Sequence, residues 1–303
     1  SSDGGQTYYA KNPEYGANIK FYVKDAPKSL KQKRKKTEKE NMSFVGWDAL
    51  DNEMSEQKNQ SILVIKNKNG DVVSKISNPL KKGITNVNWS LSSSIPTTVK
   101  SGSKSLYSSG VYTQVKEGKY DLFLYTRING VVSEVAGPVE LEVEKIRRGT
   151  LQNPLSDQHD SYYKKLAEAF TKVELLEHKI EKASDRVDTY QSVLMRLKND
   201  ISKSSKLVFD LVEMKNKLER KIGGSESKKE VGEKDNLTIY DRLWSARGGW
   251  YPNSYGPTAL HMRSYDIAKK MLDRLEPEIS NYLSKVDEVG KILEEAGAPI
   301  VLD

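Results

Sequence analysis

The residue types that could do chemistry are few and scattered. The chain of 303 residues holds three histidines, His159, His178 and His261, and no cysteine. Asp157, His159 and Asp160 could form part of a metal site. They also stand where a helix is expected to begin, and Asp is favoured there by capping and by the helix dipole. No second ligand cluster has suitable spacing, so no metal, catalytic residue or cofactor is assigned. Without cysteine, disulfides and thiolate metal sites are excluded. No Gly-x-Ser-x-Gly, phosphate-binding loop or dinucleotide fingerprint occurs. Carboxylates are plentiful, but almost all fall beside lysines on expected outer helix faces. Nothing marks a pair in an apolar pocket of the kind a glycosidase needs. The chain reads as non-catalytic.

Two stretches could instead make a surface. The run KSLKQKRKKTEKE at 28–40 carries Lys28, Lys31, Lys33, Arg34, Lys35 and Lys36. Such a run can meet phosphate, an anionic membrane or an acidic partner. The alternative is a solvated helical insertion between strands, with Pro27 in its first turn and Glu38 and Glu40 offsetting part of the charge. The solvated reading is preferred. No aromatic residues interleave with the lysines as base stacking requires, so no nucleic-acid partner is expected. The second stretch, LWSARGGWYPNSYGPT at 243–258, crowds Trp244, Arg247, Trp250, Tyr251 and Tyr255 into a Gly- and Pro-containing loop. Aromatics with Arg suit a protein or glycan surface. A plug covering one end of a helical bundle is the preferred alternative, because large aromatics bury wherever they can. Trp47 and Trp89 are assigned to a β core.

The elements that must position these residues change character near residue 150. Before it, period-two patterns and turn signals dominate. SILVIKNKNGDVVSKIS is a hairpin signature in which Asn69-Gly70 suits a type I′ turn, and YDLFLYTRINGVVSEVAG repeats the device with Asn129-Gly130. Further strands are expected at 19–24, 84–91 and 138–145. Several short strands without crossover helices predict an antiparallel β-sandwich over 18–149, with a basic insertion at 25–60. The loop SSSIPTTVKSGSKS is expected to be polar and mobile.

After residue 150, apolar residues recur at steps of three and four: Leu166, Phe170, Val173, Leu176, Ile180, Ala183, Val187, Tyr190, Leu194, Leu197 and Ile201. That spacing predicts an amphipathic helix over 158–199. A shorter stripe, Val208, Leu211, Leu218 and Ile222, ends at Gly223-Gly224. A linker is expected at 223–236, and a short helix capped by Asn236 or Thr238 through Trp244. The last helix is predicted over 258–296, kinked but unbroken at Pro277. Residues 150–303 therefore read as an elongated antiparallel three-helix bundle. The fold class is α+β and multi-domain.

Composition bounds this reading without naming a function. The 49 basic residues face 42 acidic ones, for a net charge of +7, and 30% of residues are charged. No apolar run is long enough to cross a membrane as a helix.

The opening stretch SSDGGQTYYA fits Ser-x-Asp-x-Gly-x-Thr-aromatic through Ser1, Asp3, Gly5, Thr7 and Tyr8. It resembles the Asp-box of the BNR repeat, which forms hairpins in the blades of sialidase- and sortilin-type β-propellers. A turn with no strand before it leads us to expect the tail of a longer protein, with residues 1–17 as the end of a blade and a linker. YGANIKFYVKDAPKSLKQKRKK, GDVVSKISNPLKKGITNVNWSL, EGKYDLFLYTRINGVVSEVAGPVELEV and a terminal LEEAGAP together are similar to the tail of large bacterial proteins with a sortilin-like propeller. That likeness covers nearly the whole chain. Residues 61–145, with Gly83, Val87-Asn88-Trp89 and Gly118-Lys119-Tyr120, also resemble the Ig-like domain of flagellar hook-capping proteins.

The resemblance implies an exported, Bacteroidota-like protein at the cell surface, associated with the outer membrane or periplasmic. Its partners would be its own upstream propeller and an envelope protein complex. The resembled proteins are often labelled glycosyl hydrolases, but the catalytic residues of a sialidase would lie in propeller blades outside this sequence. The function implied is that of an interaction scaffold. The alternative is an ancillary, carbohydrate-binding region of a sialidase-like hydrolase.

Overall fold

A computed structural model of the chain describes residues 12–41, 44–98, 110–146, 158–197, 202–248 and 255–298. The Asp-box residues Ser1 to Tyr8 lie outside these, as do Trp250 and Tyr251. The fold mixes helices with antiparallel sheets, and the chain divides into two units. One holds the described residues up to 94 and from 114 to 146; the other holds those from 95 to 113 and from 158 onward.

The first unit is built on period-two strands. β1 (Ala17–Val23) pairs with β4 (Gly83–Trp89), and a four-stranded sheet follows the order β3 (Val72–Pro79), β2 (Gln60–Asn67), β7 (Gly118–Ile128), β8 (Val131–Val143). The register sets Leu63 opposite Leu124 and Ile65 opposite Leu122. Leu63, Ile65, Tyr120 and Leu122 of the larger sheet share one buried cluster with Val87 and Trp89 of the smaller. Both large polar-tipped side chains are satisfied. The Trp89 indole N–H donates to the Ser92 carbonyl at 3.1 Å and the Tyr120 hydroxyl to the Lys116 carbonyl at 2.7 Å.

The two hairpin turns differ. Asn129 and Gly130 both have positive φ, 51° and 81°, as a type I′ turn demands. At the other hairpin only Gly70 does, with φ 86°. There the Gly70 N–H donates to the Asn67 carbonyl, the Asn67 side chain accepts from the N–H groups of Asn69 and Asp71, and the β2–β3 register shifts between Ile65 and Lys66. The Asn67 carboxamide thus holds a bulged turn in place of the type I′ turn that Asn69-Gly70 suggested.

The insertion carries two helices, α1 (Leu30–Asn41) and α2 (Trp47–Ser55). They pack on each other, and α2 contributes nothing to the shared core of the sheets. Trp47, expected in that core, is therefore 74% exposed. The stretch expected as a mobile polar loop contributes β5 (Ser92–Pro96), which pairs with β6 (Gly110–Gln114). Ile95 and Val111 of this pair belong to the apolar cluster of the helices.

The second unit rests on α3 (His159–Leu194), α4 (Ser202–Gly223) and α7 (Ala259–Glu295), which pack on one another. The apolar stripe of α3 is buried from Tyr162 to Leu194, and that of α7 from Ala268 to Leu293. Tyr162 meets Tyr265, Lys172 meets Glu276, and Arg186 meets Asp287, so α3 and α7 run in the same direction. Pro277 lies inside α7 without ending it. Between α4 and α7, residues 223–236 include α5 (Glu226–Glu230), and α6 (Ile239–Arg247) begins at a capping box made by Thr238 and Asp241.

α3 packs tightly against α7 at Gly290. A methyl group there would stand 2.5 Å from the Tyr190 hydroxyl oxygen. That oxygen is fixed, since Tyr190 is fully buried, donates to the Val286 carbonyl and accepts from Arg186. Ala normally stabilises a helix interior by about 1 kcal/mol over Gly. Here overpacking dominates, and Gly290→Ala is expected to cost roughly 1–3 kcal/mol, read as a lower melting temperature. Tyr282 is the opposite case. Its hydroxyl is buried without a hydrogen-bond partner among the described residues, and burial pushes its pKa up to about 12. Tyr282→Phe should raise stability by about 1 kcal/mol in the same measurement, because it removes an unmet polar group.

Candidate functional site

The basic run is organised by the acidic helix that follows it. Arg34 reaches Glu53 through two bonds, Nε to Oε2 at 2.6 Å and a terminal nitrogen to Oε1 at 3.1 Å. Its other terminal nitrogen donates to Glu38 at 2.7 Å. These bonds hold the Glu53 carboxyl below, and the Arg34 guanidinium above, their ordinary ranges. The backbone N–H of Leu30, at the start of α1, donates to both oxygens of Glu56 at 3.0 and 2.8 Å. Glu56 thus satisfies an orphan donor where the helix dipole favours negative charge. Of the six candidates in the run, Arg34 is an internal tie. Lys28, Lys31, Lys33, Lys35 and Lys36 are exposed.

This pairing leaves an apolar stripe uncovered. Trp47, Leu50 and Met54 fall on one face of α2 at spacings of three and four. Trp47 stacks edge to face on Phe44, with centroids 5.2 Å apart. Phe44 is 65% exposed and Met54 86%. A second uncovered set lies on β8, where Val131, Val132, Val135 and Val139 are each more than half exposed. β8 is also an edge strand of its sheet, with one ladder of backbone groups facing outward.

In the helical unit the aromatic stretch divides. Trp244 packs on Phe170 at 6.0 Å between centroids, and the Arg247 guanidinium lies 5.0 Å over the Trp244 ring. Burial lowers the Arg247 pKa. The Tyr162 hydroxyl donates to the Ala246 carbonyl at 2.8 Å, which pins the end of α6 to α3. Trp244 and Arg247 therefore face the helices, while Tyr255 is 43% exposed. The histidines are used locally. His261 accepts the Thr258 N–H on Nδ1 in the capping box of α7, and burial lowers its pKa, as an accepting imidazole requires. His159 Nδ1 lies 2.9 Å from Asp160 and its ring stacks on Tyr163. Among the described residues no group of three His, Asp or Glu side chains could hold a metal ion, and no helix is long and apolar enough to cross a membrane.

A cleft of about 510 Å³ opens between the end of α4, the turn at 225–238 and the middle of α7. Sequence reasoning missed it, since its residues come from three separate segments. Asp235 closes the turn: one carboxylate oxygen accepts the Ser225 N–H at 2.9 Å, the other Lys228 Nζ at 2.9 Å and the Asn236 N–H at 2.8 Å.

No protein-family model, curated protein or solved structure matches the chain.

The bond to Lys228, with the two backbone bonds behind it, lowers the Asp235 pKa from the ordinary carboxylate range to about 2. A lowered folded pKa means that this tie is present above the ordinary carboxylate range and is lost as pH falls through about 2. The amide resonances of Ser225 and Asn236 should titrate together with a midpoint near 2. A midpoint near 4 for either would show that Asp235 does not hold the turn.

Proposed function

We propose that this chain is the non-catalytic C-terminal region of an exported bacterial β-propeller protein, and that it acts as a protein-interaction scaffold in a cell-envelope assembly. In this reading the sheets form an Ig-like sandwich, the long helices an elongated three-helix bundle, and the protein works at the cell surface, at the outer membrane or in the periplasm. The likeness of the segments between Tyr15 and Val143 to sortilin-like propeller proteins and hook-capping modules supports the placement.

The observation that carries the interaction role is the exposed pair Phe44 and Trp47 beside Met54. Large apolar side chains bury about 150–250 Å² each when a surface is available, and Trp is among the residues that dominate binding energy. Here the chain's own sheets leave them uncovered. The basic insertion thus has a purpose beyond solubility: the Arg34–Glu53 tie holds α2 so that its apolar stripe is presented.

A second reading, an ancillary carbohydrate-binding region of a sialidase-like hydrolase, draws on Tyr255, whose partly exposed ring could stack on a sugar.

Capture of the tagged, full-length protein from gently cross-linked cells tests the first reading. Wild type should bring down upstream propeller peptides together with stoichiometric envelope proteins. Phe44→Ala and Trp47→Ala should each reduce the recovered envelope proteins by about tenfold or more, the loss expected of a binding hot spot. Melting should stay within about 0.5 kcal/mol of wild type, as for exposed positions. Equal recovery by both variants would remove α2 as the docking element. Upstream peptides alone, with quenching of Trp fluorescence by a soluble glycan that is lost in Tyr255→Ala, would favour the second reading.

A further inference from the structure

The cleft at the end of α4 gathers four cations over an apolar floor. Arg220 and Lys221 come from α4, Lys228 from α5 and Arg274 from α7. Ile239 and Leu275 form the buried floor, with half-buried Met271 beside them and exposed Leu237 at the lip. Its volume, about 510 Å³, falls within the ~300–1,000 Å³ of small-ligand sites.

Two carboxylates also border the cleft, and both are already used. Lys221 Nζ bonds both oxygens of Glu278, at 2.6 and 2.5 Å. Lys228 is taken up by Asp235, which also accepts two backbone N–H groups. These pairs neutralise each other. Arg220 and Arg274 remain, on two different helices, and among the described residues neither side chain makes a hydrogen bond or ion pair. A single exposed arginine without a partner is ordinary. Two of them bordering one apolar-floored cleft, whose two lining acids are both paired, leave a rim that carries two positive charges beyond those pairs.

We propose that this cleft binds an amphipathic phosphomonoester, with the phosphate held by Arg220 and Arg274 and the apolar chain lying over Met271, Leu275 and Leu237. The guanidinium fork matches phosphate oxygens in bidentate geometry, and two such forks match the charge of a dianion. The floor adds a preference that inorganic phosphate cannot meet. Each methylene it covers is worth about a fourfold gain in affinity. A soluble alkyl phosphate and the exposed headgroup of a phosphatidic-acid-type lipid offer the same chemistry. The inference does not depend on the scaffold reading, which concerns α2 in the other unit.

Calorimetric titration of the full chain with inorganic phosphate, hexyl phosphate and hexyltrimethylammonium tests it. Hexyl phosphate should bind at least tenfold more tightly than inorganic phosphate, and the ammonium compound should not bind. Arg220→Ala and Arg274→Ala should each weaken hexyl phosphate by about 10- to 100-fold, the range of a charge-assisted bond. Both residues are exposed and unpaired, so melting should be unchanged and a loss of binding cannot be ascribed to unfolding. Cosedimentation with vesicles containing phosphatidic acid, abolished in both variants, would identify a lipid as the source. Hexyl phosphate binding without cosedimentation would identify a soluble ligand. If the two hexyl compounds bind equally, or if the arginine variants titrate as wild type does, the cleft is not a phosphate site.

Discussion

The constraint on which the helical unit depends is the burial of two very long apolar stripes against each other. α3 and α7 have 36 and 37 residues, and an isolated helix of either sequence would leave its stripe in water. Because α3 and α7 run in the same direction, no short loop could join them. The chain must travel back the length of α3 before α7 can start, and α4 is that return. The rest follows from this geometry. α4 supplies a third apolar wall through Val208, Leu211, Leu218 and Ile222. The 22 residues of α4 fall short of 36, and α6 with its own buried Ile239, Leu243 and Ala246 covers part of what remains.

Much of this was legible in the sequence because periodicity is a strong signal when it persists. Steps of three and four over the nine apolar positions from Leu166 to Leu194 specify both the helix and its buried face, and the phase held across Pro277. Thr238 was one of two candidate caps; Asp241 three residues on decides the matter through the reciprocal bond of a capping box. Short-range signals were less decisive. Asn69-Gly70 and Asn129-Gly130 look alike as dipeptides, yet the first turn has a side-chain acceptor of its own in Asn67, whereas at the second the Asn129 N–H donates to Asn59, which is distant in the chain. Ile95 was hidden in a stretch rich in Ser and Thr, where one apolar residue gives no period at all.

The surface was harder to read for a physical reason: whether a charge or a ring is used depends on residues far away in the chain. The run at 28–40 looks uniformly basic, but Arg34 alone finds Glu53, 19 positions on, while its lysine neighbours remain in solvent. A hint was present, since Asp48, Asp51, Glu53 and Glu56 follow the lysines closely. Trp47 was assigned to a core because tryptophan usually belongs in one; the pairing of α1 with α2 is what keeps it out. Arg220 and Arg274 carried no signal. Nothing in the local sequence says that Glu278 will be occupied by Lys221 and so leave Arg274 alone.

The shared direction of α3 and α7 has a mechanical consequence. The chain enters α3 at one end of this helical pair and leaves α7 at the other, roughly 54 Å away at 1.5 Å per residue. Tension applied between those two points slides the helices past each other, so every contact from Tyr162–Tyr265 to Arg186–Asp287 is strained at once. Had the helices been antiparallel neighbours, the same tension would have opened them from one end, a contact at a time. The arrangement is that of a lap joint loaded in shear, the geometry in which many weak bonds resist together.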